Sequence, residues 1–197
     1  MFYETSSNAH GLRHDPFKAL VVPRPIGWIS TIGRDGIVNL APYSFFNAIG
    51  ENPPCVMFSS AGRKDSQRNA EETGEFVCSL ATWDLREAMN ATSASVPPEV
   101  DEMQLARLEK APSRLVKPPR VAASPWSLEC RYLQTVPLPS RSRHGYAMVL
   151  GEVVGVHIAD QFIKDGMVDS VAMHPIARMG YMDYCAVEGR FVMQRPA

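Results

Sequence analysis

Short apolar stretches alternate with turn-forming residues along most of the chain, and none holds a helical period for long. Residues 26–32 (Ile-Gly-Trp-Ile-Ser-Thr-Ile) are β-branched and aromatic, which predicts a strand. Arg34-Asp35-Gly36 follows with an Asp-Gly turn pair, and residues 37–40 resume as the returning strand of a hairpin. Asn52-Pro53-Pro54 breaks the chain before Cys55-Val56-Met57-Phe58, an apolar run read as a buried strand. Phe76 to Ala81 predicts another strand. Ser127 to Val136 and Ala147 to Ile158 predict two long ones. Gly151 and Gly155 in the last predict bends or bulges in a strongly curved sheet.

Helical signals are few and short. Asp65 or Ser66 is placed to cap a helix running to Thr73, with Gly74 at the position that needs positive φ. Thr82 is placed to cap a second, from Trp83 to Ala91, with Asp84 in its first turn. A third is expected around residues 101–110. Residues 111–125 carry Pro112, Pro118, Pro119 and Pro125 and read as a long surface connection. Residues 1–16 show no periodicity and read as an N-terminal arm, with 17–197 as a single domain ending in a C-terminal extension. The helices are not arranged in βαβ alternation. The expected class is therefore mainly β, an antiparallel barrel of about six strands with short inserted helices.

Composition narrows the function classes. The 197 residues are 45% hydrophobic and 21% charged, which excludes disorder as the main state. With 20 basic and 21 acidic residues the net charge is −1, so no global field is available for nucleic acid or an anionic membrane. No apolar run approaches the ~18 residues of a membrane span, and the N-terminus is polar, so a cytoplasmic location is expected. Cys55, Cys78, Cys130 and Cys185 form no C-x-x-C; three lie in apolar runs, and free buried thiols are expected. His10, His14, His144, His157 and His174 show no metal-type pairing in an ordered element, so no metal site is expected. No dinucleotide-binding glycine motif, P-loop or nucleophile elbow is present.

Three segments carry the candidate chemistry. The strand ending in Ser59-Ser60 is followed by Arg63-Lys64-Asp65-Ser66 and Asn69 at a helix start. Hydroxyls, cations and helix N-terminal N–H groups together make an anion cradle, with an ordinary solvated turn as the alternative. Asn39-Leu40-Ala41-Pro42-Tyr43-Ser44-Phe45-Phe46-Asn47 sets aromatic residues beside small polar ones, where Pro42 would interrupt a central strand. A planar heteroaromatic ligand fits such a place; Phe45 and Phe46 as plain core are the alternative. The remaining segment is Pro23-Arg24-Pro25-Ile26-Gly27-Trp28-Ile29-Ser30-Thr31.

In this order and spacing, the three segments resemble the flavin reductase-like, FMN-binding split-barrel family. The likeness is to its longer members, such as the reductase component of nitrilotriacetate monooxygenase and the flavoredoxins. Thr73-Gly74-Glu75-Phe76-Val77-Cys78-Ser79-Leu80, residues 150–158 and His174-Pro175-Ile176-Ala177-Arg178-Met179-Gly180 match its later blocks. The resemblance implies a six-stranded Greek-key split barrel, a homodimer, and FMN near the dimer interface. It implies that Trp28, Ile29 and Ser30 border the flavin, and that Ala41, Pro42, Tyr43, Ser44, Phe45, Phe46 and Asn47 meet its ring edge. Ser59, Ser60, Arg63, Lys64, Asp65, Ser66 and Asn69 would hold the phosphate, with Arg24 and Arg178 as outer contacts or, alternatively, partners in structural ion pairs.

One position departs from the pattern. Shorter reductases of the family carry a His five residues before the Gly of the Gly-Glu-Val strand. Here Tyr146 stands there, with His144 two residues earlier, and these two are the candidates near a nicotinamide. The implied activity is NAD(P)H-dependent reduction of FMN, with reduced flavin or electrons passed to a partner such as an oxygenase. A slow FMN-binding electron-transfer protein is the alternative.

Overall fold

The computed structural model describes residues 1–196; Ala197, the last residue of the expected C-terminal extension, lies outside them. The strands are β1 (Arg24–Pro25), β2 (Gly27–Ile32), β3 (Val38–Tyr43), β4 (Phe46–Glu51), β5 (Pro54–Ala61), β6 (Glu75–Leu80), β7 (Lys110–Ala111), β8 (Arg120–Val121), β9 (Trp126–Leu138), β10 (Tyr146–Ile158), β11 (Ile163–Lys164), β12 (Met167–Val168), β13 (Ile176–Arg178) and β14 (Tyr184–Ala186). The helices are α1 (Phe17–Leu20), α2 (Asp65–Thr73), α3 (Arg86–Ala91) and α4 (Glu102–Leu105), with a 3-10 turn at Asp160–Phe162.

Seven strands form one antiparallel sheet in the order β3-β2-β6-β9-β10-β5-β4. Its two edge strands, β3 and β4, are joined by only Ser44 and Phe45. Tyr43 and Phe46 are three residue steps apart, at most about 11 Å, so the two edges lie side by side there and the sheet rolls into a barrel. The split in the barrel lies at that seam. The expected six strands become seven because one segment, residues 38–51, breaks at Ser44-Phe45 and contributes to both edges. Pro42 does not interrupt a central strand as expected: it lies within β3, an edge strand, and the pairing runs in register through it, with Trp28 opposite Pro42 and Gly27 opposite Tyr43.

The glycines of β10 act as the sequence predicts. Register shifts fall at Leu150/Gly151 and Val153/Gly155 in the β9–β10 pair. A Cβ on Gly151 would lie 2.3 Å from the Phe76 ring, so only glycine lets the strand cross the core there.

β2 alternates between two cores, as the period of a strand requires. Ile29 joins Tyr43, Phe46, Phe58, Phe76 and Val149 inside the barrel. Trp28 points the other way, into a cluster with Leu40, Met89, Met103, Val121 and Ile176 under α3 and α4. Both residues are completely buried, and truncating Trp28 alone would cost about 3–5 kcal/mol.

Several local expectations are corrected. β5 is not uniformly buried: Val56 and Phe58 face the core while Cys55 and Met57 are half-buried, as in a strand with one open face. Only Cys78 and Cys130 are buried thiols; Cys55 and Cys185 are partly exposed. The second helix begins at Arg86, because Trp83–Leu85 form a turn in which Thr82 Oγ1 accepts from Leu85 N–H at 3.4 Å. The third ends at Leu105: Asp101 caps its start, but Arg107 has φ 55° and stops it. Residues 111–125 are less irregular than expected, since β7 pairs with β8.

That connection is clamped to the barrel by Glu129. Its fully buried carboxylate accepts the backbone N–H groups of Arg114 (2.7 Å), Leu115 (2.6 Å) and Val116 (3.1 Å), and pairs with His157 Nε2. Against the opposing effect of burial, the His157 bond and the backbone N–H groups of Arg114 and Leu115 hold its pKa below the ordinary carboxylate range.

Candidate functional site

The seam between β3 and β4 is crossed by Ser44 and Phe45. Phe45 is anchored by its carbonyl, which accepts Ser59 N–H of β5 at 2.8 Å. Two clefts flank this point. The first, about 460 Å³, is lined by Ala41 to Phe45, Ser59 to Ala61, Arg63 to Ser66, Tyr146, and a second wall from Thr92 to Val96 with Asn39 and Glu102. The second, about 1000 Å³, is lined by Arg24, Phe46, Asn47, Met57, Met148 and Tyr181 among others. Ser44, Phe45, Ser59 and Tyr146 border both, so the clefts adjoin.

The first cleft ends on α2. Lys64, not Asp65 or Ser66, is the residue at the N-cap position, and no side chain caps the helix. The sequence expectation fails here because both candidate caps are used elsewhere: Asp65 pairs with Arg68 at 2.6 Å, and Ser66 Oγ accepts from Asn39 Nδ2 at 2.8 Å. The C-terminal end follows the expectation: Gly74 has φ 78° and donates its N–H to the Ala70 carbonyl at 2.9 Å.

The charges at this end are unequal. Arg63 is held by Glu71 at 2.7 Å and Glu72 at 3.3 Å. Lys64 forms no ion pair among the described residues. Burial pushes the Tyr43 phenol up to about 12, with Ser66 and Ser60 as its hydrogen-bonding neighbours, so it stays a neutral hydroxyl at working pH. Burial, with Asp65 and Asp101 nearby, raises the Glu102 carboxyl, whose Oε2 accepts Leu40 N–H at 2.9 Å.

An uncapped helix start and a lysine without an ion pair among the described residues are donors left open to the cleft; of the neighbouring hydroxyls, Ser60 Oγ donates to the Ala61 carbonyl at 3.3 Å. A phosphate fits that set. The aromatic and main-chain edge at Ala41–Phe45 fits a planar ring system beside it.

Most of the sequence-predicted residues are brought together. Ala41, Pro42, Tyr43, Ser44, Phe45, Ser59, Ser60, Arg63, Lys64, Asp65 and Ser66 line the first cleft; Arg24, Phe46 and Asn47 line the second. Trp28, Ile29 and Ser30 line neither: all three are fully buried, with Trp28 Nε1 donating to Thr92 Oγ1 at 2.9 Å and Ser30 Oγ to the Pro119 carbonyl. Asn69, within α2, is buried on the side facing β2 and donates to Thr31 Oγ1 at 3.2 Å. Arg178 lies outside both clefts, 4.4 Å from the Tyr184 ring centroid. Among the described residues neither Arg24 nor Arg178 forms the ion pair offered as an alternative role. Tyr146 borders both clefts, whereas His144 borders neither.

The sequence reading missed the second wall of the first cleft. Its signal is present as Thr92-Ser93-Ala94-Ser95, a run of small and hydroxyl residues after α3. Its place opposite α2 follows only from the Trp28–Thr92 bond and the packing of α3.

Comparison with known proteins agrees with this architecture. The sequence model of the flavin reductase-like domain matches residues 19–172. An uncharacterized protein of Aquifex aeolicus is 36% identical over 176 residues, 86% of this chain and 87% of its own. The crystal structure of nitrilotriacetate monooxygenase component B from Bacillus cereus superposes with a TM-score of 0.88 at 30% identity, covering 98% of each chain. The 2-nitrobenzoate 2-nitroreductase of Pseudomonas fluorescens gives 0.87 at 25% identity, covering 100% of this chain and 96% of its own. The flavoredoxin of Desulfovibrio vulgaris, at 20% identity and a TM-score of 0.79 over 94% and 95% of the two chains, shares the fold. The family match over most of the barrel and the clefts at its seam lead to one conclusion: the chain belongs to the flavin reductase-like domain family.

Proposed function

We propose that the first cleft holds the phosphate of FMN, with the flavin ring at the Ala41–Asn47 edge, and that the protein is an NAD(P)H-dependent flavin reductase. The observation that carries this reading is the uncapped start of α2 facing the cleft beside the unpaired Lys64. When bound, FMN supplies the two-electron chemistry, accepting hydride from a nicotinamide. The chain's own residues bind and orient. Lys64, the α2 N–H groups, Ser59 and Ser60 hold the phosphate, and the main chain at Ala41–Phe45 with Ser44 meets the polar edge of the ring. Phe45 and Phe46 exclude water from its surroundings. No side-chain acid or base is needed for the hydride step itself.

A homodimer is the matching assembly, supported by the open seam between β3 and β4, an edge that a second copy would cover. The name of the Bacillus cereus neighbour supports an oxygenase as recipient of the reduced flavin. The free thiols support a reducing, cytoplasmic location. The second reading, a slow electron-transfer flavoprotein, is favoured by one observation: Tyr146 rather than a histidine borders the clefts, and His144 faces neither. Anaerobic addition of NADH or NADPH to the FMN-loaded protein separates the two. Bleaching of the flavin absorbance within seconds supports the reductase; no bleaching with either nucleotide supports the carrier.

A further inference from the structure

The second cleft has an unbalanced charge. Lys18 and Arg24 line it, and Arg178 is the cross-strand neighbour of Arg24 in the β1–β13 pair. None of the three has a carboxylate partner among the described residues. Arg24 is only 6% exposed. Its terminal nitrogens donate to the carbonyls of Lys18, Val21 (2.6 Å) and Met179 (2.8 Å), and its buried Nε has no partner. Carbonyls satisfy hydrogen bonds but do not neutralise a charge, and a buried cation without a counter-ion is costly. Burial and the charge of Arg178 accordingly lower the Arg24 pKa. Asp15, the acid lining this cleft among the described residues, already accepts Phe17 N–H at 2.9 Å and Asn8 Nδ2 at 3.5 Å.

The walls beside these cations are aromatic and apolar. The Phe45 ring centroid lies 6.0 Å from Arg24 Cζ. Tyr181 is half-exposed into solvent and held at φ 55°, a left-handed conformation that a bulky residue adopts only when its surroundings enforce it. Met57 and Met148 add polarisable side chains to the lining. At about 1000 Å³ the cleft is at the upper end for small-molecule sites, with room beyond a flavin ring.

We propose that this second cleft is a binding site for a planar aromatic carboxylate, its carboxylate toward Lys18 and Arg24 and its ring against Phe45 and Tyr181. Its position beside the cofactor rests on the flavin reading above; its charge and aromatic walls do not. The test is a fluorescence titration of the full-length protein with 2-naphthoate and with the neutral isostere 2-naphthamide, with and without FMN. Naphthoate should bind saturably and about tenfold more tightly than the amide, the difference expected of one charge-assisted contact. Lys18→Gln, an exposed position, should erase that preference while leaving the melting temperature in place. Equal affinities for acid and amide, or a preference that survives Lys18→Gln, would overturn the proposal. So would displacement of naphthoate by equimolar inorganic phosphate, which would mark a general anion site. FMN affinity measured on the same samples reports on the flavin reading alone, so either can fail without the other.

Discussion

Two places in this molecule gather bare backbone N–H groups, and the fold treats them in opposite ways. At residues 114–116 three N–H groups converge on the Glu129 carboxylate, which is fully buried and also holds His157. At the start of α2 no side chain receives the first-turn N–H groups, and the adjacent Lys64 has no acidic partner among the described residues. Both are anion holes. One is filled by the protein's own carboxylate and fastens a loop; the other opens on a cleft, and in the function proposed above an anion from outside fills it. Local residue types would not distinguish them. The difference lies in whether the fold supplies the acceptor.

The largest effect expected from this contrast is on stability. Glu129→Ala leaves three N–H groups and a histidine without their acceptor, and should lower unfolding free energy by about 3–5 kcal/mol. Urea denaturation measures it, and FMN affinity of the folded fraction should persist. Lys64→Ala should do the reverse. It should weaken FMN binding by about 1.5–3 kcal/mol by calorimetry while changing stability by no more than ~0.5 kcal/mol. If FMN binding is unchanged and the melting temperature falls, the two sites are both structural and the contrast collapses.

Acid sharpens the same comparison. The folded-state pKa of Glu129 is depressed, so its contribution is present above the unfolded carboxylate value of 4.5 and is lost as pH falls through the lower folded value. The melting-temperature gap between the natural protein and Glu129→Gln should therefore be constant at neutral pH and shrink below that value. Glu102 has the opposite sign. Its folded pKa is raised, so the ionised group destabilises the fold increasingly as pH rises from 4.5 through the folded value. Glu102→Gln should then raise the melting temperature slightly at neutral pH. It should also tighten FMN binding by about twofold, because one negative charge leaves the cleft wall.

Much of this was legible in the residues. The hairpin at Asp35-Gly36, the two long strands with bulges at their glycines, and the helix from residue 65 to Gly74 follow from local chemistry, and the structure has them. What was not legible depends on distant partners. Ser66 looks like a cap until Asn39 of β3 donates to its hydroxyl. The family resemblance sets Trp28 to Ser30 beside the flavin ring, whereas the barrel closes over both faces of β2 and buries them. Glu129 carries no motif at all, because its donors lie 13 to 15 residues upstream in a loop whose course is set by prolines. The wall from Thr92 to Val96 was missed for the same reason: its composition is visible, its position is not.

The central claim is that the open anion hole at α2 recognises the flavin's phosphate. Its most direct measurement compares FMN and riboflavin affinities in the natural protein and in Lys64→Ala by the same fluorescence-quenching titration. FMN should bind at least about tenfold more tightly than riboflavin to the natural protein, and Lys64→Ala should reduce FMN affinity while leaving riboflavin affinity where it was. Equal affinities for FMN and riboflavin in the natural protein, or equal losses of both in the variant, would contradict it.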